Sequence, residues 1–219
     1  MKKLTLIITF GFAIIFLLIG CNNDSELEKN PRRFIVKYKN GSIYCEGFLS
    51  ILKKSGLPKY RTGTWKFYYP SGKLEKLQEF NKKERGIGIW KRFYMNGTLE
   101  TFTEYDENGE YVNYKRYNEN GVLVYSSVNI DKTEYINQYY GNGKISMEQI
   151  ITKEVSGEDD QYETTTTTQK LYYQNGQLYR QDFFEDENPY KTTTIWDTTG
   201  DLVLSYENKD LLIIPNKPN

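Results

Sequence analysis

Seven times along this chain an Asn, Ser or Thr precedes a glycine, and Leu or Ile stands two residues after it. Six copies are strong: Tyr68-Tyr69-Pro70-Ser71-Gly72-Lys73-Leu74, Phe93-Tyr94-Met95-Asn96-Gly97-Thr98-Leu99, Tyr117-Asn118-Glu119-Asn120-Gly121-Val122-Leu123, Tyr139-Tyr140-Gly141-Asn142-Gly143-Lys144-Ile145, Tyr172-Tyr173-Gln174-Asn175-Gly176-Gln177-Leu178 and Trp196-Asp197-Thr198-Thr199-Gly200-Asp201-Leu202. A weaker one, Lys37-Tyr38-Lys39-Asn40-Gly41-Ser42-Ile43, precedes them. Their glycines lie 31, 25, 24, 22, 33 and 24 residues apart. Self-similarity on this scale marks a repeat architecture, one supersecondary unit copied and stacked.

The unit is a β-hairpin. Asn-Gly between strand-like runs fits either a two-residue type I′ turn or a type I turn closed by a left-handed glycine with a bulge. The two-residue loop would set Asn118 and Asp197 opposite the aliphatic column. The three-residue loop instead pairs Tyr68 with Leu74, Phe93 with Leu99, Tyr117 with Leu123, Tyr139 with Ile145, Tyr172 with Leu178 and Trp196 with Leu202. Six aromatic-aliphatic cross-strand pairs select the second geometry, and Pro70, Asn118 and Asp197 stand where a type I turn prefers them. Gly72, Gly97, Gly121, Gly143, Gly176 and Gly200 are therefore the turn glycines.

Second turns, at Asn81-Lys82-Lys83-Glu84-Arg85-Gly86 and Asp106-Glu107-Asn108-Gly109, return the chain to strands carrying Trp65, Trp90 and Tyr114. The expected fold is all-β, an elongated antiparallel β-meander of repeated β-hairpins over residues 33–206, with 207–219 as a C-terminal tail. Residues Thr164 to Thr168 read as strand because β-branching restricts them. Trp65, Phe67, Tyr69, Trp90 and Tyr94 fall on the opposite pleat from Tyr68 and Phe93, so both faces carry rings and at least one is expected to be semi-exposed. These five are the candidate binding surface, since Tyr and Trp offer large contact area at low entropic cost.

The chain opens with Lys2 and Lys3, runs through sixteen mostly apolar residues from Leu4 to Ile19, and reaches Leu18-Ile19-Gly20-Cys21. A basic start, an apolar middle and a small residue before the cut read as a signal peptide over 1–20. At ~1.5 Å per residue the stretch falls short of a ~30 Å hydrocarbon core. Leu-Ile-Gly-Cys resembles the lipobox of bacterial lipoproteins, which implies acylation of Cys21 and attachment to a membrane through lipid alone. Residues 21–32 are polar and read as a tether. Asn22 after the cysteine favours an outer membrane where the host has one, so the expected location is the cell envelope, facing periplasm or exterior.

Removing the first twenty residues leaves 199, with 27 basic and 29 acidic side chains. That balance gives no bulk attraction to nucleic acid. Histidine is absent, which removes the commonest general base and metal ligand. Acylation of Cys21 leaves Cys45 as the single thiol, expected to be a buried small hydrophobe. Glu75 and Glu100 recur because the repeat recurs, which points to solvated strand positions, not to a catalytic pair. The acidic run Ser156-Gly157-Glu158-Asp159-Asp160 lacks the ligand spacing of a calcium loop and reads as a solvated turn. No catalytic residue, metal site or cofactor is expected.

The words Gly63-Thr64-Trp65-Lys66-Phe67-Tyr68-Tyr69-Pro70-Ser71-Gly72-Lys73-Leu74-Glu75 and Gly88-Ile89-Trp90-Lys91-Arg92-Phe93-Tyr94-Met95-Asn96-Gly97-Thr98-Leu99-Glu100 resemble the MORN-repeat variant of proteins named YwqK-type antitoxins. The resemblance spans about Phe34 to Tyr206, with Ile136, Gln169 and Thr193 replacing tryptophan in later copies. It implies a non-enzymatic hairpin array that binds something, often another protein, with no catalytic residues. The expected function is thus a lipid-anchored envelope module that binds a protein, antitoxin-like, with carbohydrate binding or a structural envelope role as the alternative.

Overall fold

A computed structural model describes residues 30–156, 162–186, 188–207 and 210–213. The signal peptide, Cys21, nearly all of the tether and residues 157–160 of the acidic run lie outside them. Among the described residues fifteen strands form one sheet. They are β1 (Arg32–Lys37), β2 (Ile43–Ile51), β3 (Pro58–Tyr68), β4 (Leu74–Phe80), β5 (Gly86–Phe93), β6 (Leu99–Tyr105), β7 (Tyr111–Tyr117) and β8 (Leu123–Ile130). The rest are β9 (Thr133–Tyr139), β10 (Ile145–Ser156), β11 (Tyr162–Tyr172), β12 (Leu178–Glu185), β13 (Asn188–Trp196), β14 (Leu202–Glu207) and β15 (Asp210–Ile213).

Strand order equals chain order and every neighbouring pair is antiparallel, so the sheet is an unclosed meander with β1 and β15 at its edges. Strands touch only their sequence neighbours. The result is a single-layered ribbon, on the order of 65 Å long at ~4.8 Å per strand. No helix among the described residues is long and apolar enough to cross a membrane. The threonine run lies within β11, as its β-branching requires. The sheet also passes the expected boundary at 206: β14 ends at Glu207, and the apolar Leu211-Leu212-Ile213 belongs to one more strand.

All six expected aromatic-aliphatic pairs are in register, from Tyr68 with Leu74 to Trp196 with Leu202. In each turn the glycine N–H donates back three residues, as Gly97 N–H does to the Tyr94 carbonyl at 2.9 Å. The six glycines hold φ between 79° and 95°, the left-handed region that side chains disfavour. The turns on the other long edge use the same geometry with less glycine: Glu84 adopts φ 61° between β4 and β5, while Gly109 fills that position between β6 and β7.

With one layer there is little interior. The buried apolar cluster is Cys45, Trp65 and Phe80, with Val36, Leu49, Phe67 and Trp90 packed against it. Cys45 is buried as expected, and burial pushes its thiol up from the usual value. Cross-strand contacts and hydrogen-bonded rows must supply most of the cohesion that a second layer would otherwise give.

Candidate binding surface

In five of the seven glycine turns the first residue is a tyrosine, and these set a row along one long edge of the ribbon, while Asn118 and Asp197 at the same position bond within their own turns. Tyr38 hydroxyl donates to the Tyr68 carbonyl at 2.8 Å, Tyr69 to Phe93 at 2.7 Å, Tyr94 to Tyr117 at 2.9 Å, Tyr140 to Tyr172 at 2.5 Å and Tyr173 to Trp196 at 3.3 Å. Every bond joins one repeat to the next. Turn asparagines add a second row, Asn96 Nδ2 donating to the Glu119 carbonyl at 3.0 Å, and Lys73 Nζ reaches the Met95 carbonyl at 3.0 Å. Burial, then the nearby Glu75 carboxylate, raises the hydroxyl pKa of Tyr38 and of Tyr69. Tyr69 and Tyr94, expected on an open binding surface, are half-buried and committed to holding repeats together.

Trp65 corrects the expectation further. It is only 4% exposed. Gly47 on β2 leaves the space for its ring: a Cβ there would lie 2.3 Å from Trp65 Cδ2. The indole N–H donates to the Phe48 carbonyl at 3.1 Å. Trp90 repeats the arrangement, donating to the Glu79 carbonyl at 3.0 Å and packing between Phe80 and Tyr105, each 5.2 Å away. Gly63 and Gly88, two residues before each tryptophan, sit in mid-strand at φ 64° and 62° where the pairing register slips. Those bulges re-aim the tryptophans along the sheet instead of away from it. Phe67 is half-buried beside Trp65, with ring centres 6.2 Å apart.

From Trp90 onward the same row crosses Thr103, Tyr114, Ser127, Ile136, Gln149, Gln169, Asp182, Thr193 and Tyr206 in continuous register. It turns polar as it goes. Asp182, 1% exposed, accepts from Arg180 Nε at 2.8 Å and from the Thr193 hydroxyl at 2.6 Å. A buried carboxylate so paired replaces the tryptophan packing of the early repeats. Between these ends Tyr111, Tyr114, Arg116, Tyr125, Ser127 and Glu134 line an open depression of about 320 Å³. Tyr111 hydroxyl bonds to Ser127, and Tyr114 and Tyr125 meet edge-on at 5.7 Å.

Glu75 and Glu100 flank Arg92, with Glu100 Oε2 3.0 Å from its Nε and Glu75 Oε1 3.8 Å from an amino nitrogen. Both carboxylates pair with Arg92 and are half-buried, less solvated than the sequence led us to expect. No group of three potential metal ligands occurs among the described residues.

The surface that sequence reading missed lies on the other face. Val128, Tyr135, Ile150, Thr168 and Phe183 stand directly opposite one another across β8–β12. Tyr135 and Ile150 are 40% exposed, and Ile130, one step along β8, is 55% exposed. Apolar groups aligned in this way form a patch, unlike scattered exposed side chains. Their signal in sequence was strand alternation, but assigning a face needed the register set by the bulges.

The fold and its rows define a β-hairpin repeat array. The family model described as MORN repeat variant matches residues 61–82 and 166–186, two hairpins of that array, so the chain carries repeats of this kind. No curated protein matches it. Among matching solved structures is one titled "Crystal Structure of TcdB2-TccC3", at 10% identity with a TM-score of 0.19, covering 81% of this chain and 12% of that one. This chain spans only that small share of the matched chain, and a likeness so slight carries no argument.

Proposed function

We propose that the protein is a lipid-anchored, non-enzymatic module of the bacterial cell envelope that binds another protein, in the manner of an antitoxin or immunity protein. The supporting observation is the aligned strip of Val128, Tyr135 and Ile150, with Ile130 beside it, on an open sheet. It fits a partner whose contacting surface is itself apolar, because burying such groups is the main drive to association. The MORN-type repeats agree with a binding role, and Cys21 in its lipobox-like context supplies the anchor.

Affinity capture of the full chain from detergent-solubilised envelopes tests this. One stoichiometric protein is expected, lost when Tyr135→Ser and Ile150→Ser are combined; equal recovery with that variant overturns the reading. Incorporation of labelled fatty acid, absent in Cys21→Ser, tests the anchor separately. The depression at Tyr111, Tyr114 and Tyr125 favours a second reading, carbohydrate binding, because tyrosine rings beside Arg116 and Glu134 combine stacking with polar contacts. Glycan-array signal abolished by Tyr114→Ala would support it.

A further inference from the structure

Near-neutrality hides a separation of charge along the ribbon. From Arg32 to Thr98, the span of β1–β5, the sequence holds 16 Lys and Arg against 4 Asp and Glu, a formal +12. From Leu99 to Ile213, the span of β6–β15, it holds 9 against 22, a formal −13. Because strand order follows chain order, this asymmetry in sequence runs along the molecule as well. One end is basic and the remainder acidic.

On the face opposite the tryptophan row, Lys66, Leu77, Lys91, Phe102 and Lys115 form one cross-strand row over β3–β7. Lys66 and Lys91 form no ion pair among the described residues. Lys115 lies over the Phe102 ring at 6.0 Å. By register the same face of the acidic part carries Glu154 and Glu207, both exposed, together with Val128, Tyr135 and Ile150. Cations interleaved with apolar groups thus share one face with carboxylates beside an apolar strip.

Such an axial dipole is complementary to itself in one arrangement. Two copies laid antiparallel about a two-fold axis set each basic end on the other's acidic end, so the contact is made twice. A parallel arrangement opposes like charges instead. We propose that the face carrying Lys66, Lys91 and Lys115 docks on the same face of a second copy of this chain, antiparallel, with β1–β7 of one copy against β9–β15 of the other. This rests on the reading of that face as a protein-binding surface and names a second copy of the chain as what covers it while the other protein is not bound.

Light scattering of the full chain in excess non-ionic detergent measures the mass directly. The expected result is a dimer at about 50 mM salt whose dissociation constant rises at least about tenfold by about 500 mM, as screening shortens the reach of the charges. Lys66→Glu, Lys91→Glu and Lys115→Glu together give a monomer at low salt, and so does Glu154→Lys with Glu207→Lys. Mixing the two variants restores the dimer. Circular dichroism checks that each stays folded; a reversal set that unfolds is replaced by single reversals at the same positions. A monomer at low salt, a dimer indifferent to salt and reversals, or an open series of larger oligomers overturns the proposal. A monomer that still captures one envelope protein through Tyr135 and Ile150 would sink this inference while leaving the binding function standing.

Discussion

The hydroxyl of Tyr69 donates to the carbonyl of Phe93 at 2.7 Å, so the turn between β3 and β4 is tied to the strand that opens the next turn. Tyr69→Phe keeps the ring and removes this one bond. A net loss of about 1 kcal/mol is expected, read as a fall in melting temperature of roughly 2–4 °C for a chain of this size. Amide exchange should quicken in the hairpins on both sides of the change. A loss confined to one hairpin would show that the row does not couple repeats.

Gly97 and Asn96 test the turn. Nothing lies within 4 Å of a Cβ built on Gly97, so Gly97→Ala reports left-handed backbone strain alone, about 1–2 kcal/mol. Asn96 contributes differently: its Oδ1 accepts from Thr98 N–H at 2.8 Å and its amide reaches the next repeat. Asn96→Ala should cost about 1 kcal/mol. Urea unfolding of both variants checks the order.

The glycine under Trp65 is a steric requirement. Gly47→Ala places a methyl within 2.5 Å of two ring carbons, and overpacking of this kind costs about 1–3 kcal/mol. Trp65 fluorescence should change with it, since the ring must move. Gly72→Ala, with open space around it, should leave the emission as it is.

Two tyrosines predict alkaline sensitivity. Burial, then a hydrogen bond to a carboxylate, pushes Tyr68 up to about 12 beside Glu46, and Tyr172 up to about 12 beside Glu148. A raised folded value means the stabilising form is the protonated one, fully present below the ordinary value of 10.0 and lost as pH climbs toward 12. Stability should therefore fall across pH 10 to 12, and less so in Tyr68→Phe. Glu46 has the opposite sense: the Arg33 and Tyr68 hydrogen bonds hold its carboxyl below 4.5. Its contribution is present above that value and disappears on acidification through the lowered one. Glu46→Gln should flatten the acid limb.

Much of this fold was legible because the repeat exposes its turn chemistry in columns. Glycine, asparagine and the aliphatic residue recur at fixed offsets, and the six aromatic-aliphatic pairs, Tyr68 with Leu74 among them, choose between the two loop lengths those offsets allow. What lay beyond reach depends on neighbours in space. Tyr69 and Tyr94 read as surface rings because their hydroxyl partners, Phe93 and Tyr117, belong to later strands. Trp65 read as part of a binding surface because the space that takes its ring comes from Gly47, eighteen positions earlier, with a bulge at Gly63. Composition summed over the whole chain likewise concealed the opposite charges of its two ends.

The ribbon itself is tested most directly by a distance between two equivalent turns. Spin labels at Ser71 and Asn175 sit eight strand spacings apart along the sheet, which predicts a separation of about 38 Å or more by pulsed electron resonance. A narrow distribution near that value supports an open, single-layered array. A distance under about 25 Å would mean that the strands close into a barrel or fold back into two layers, and would contradict it.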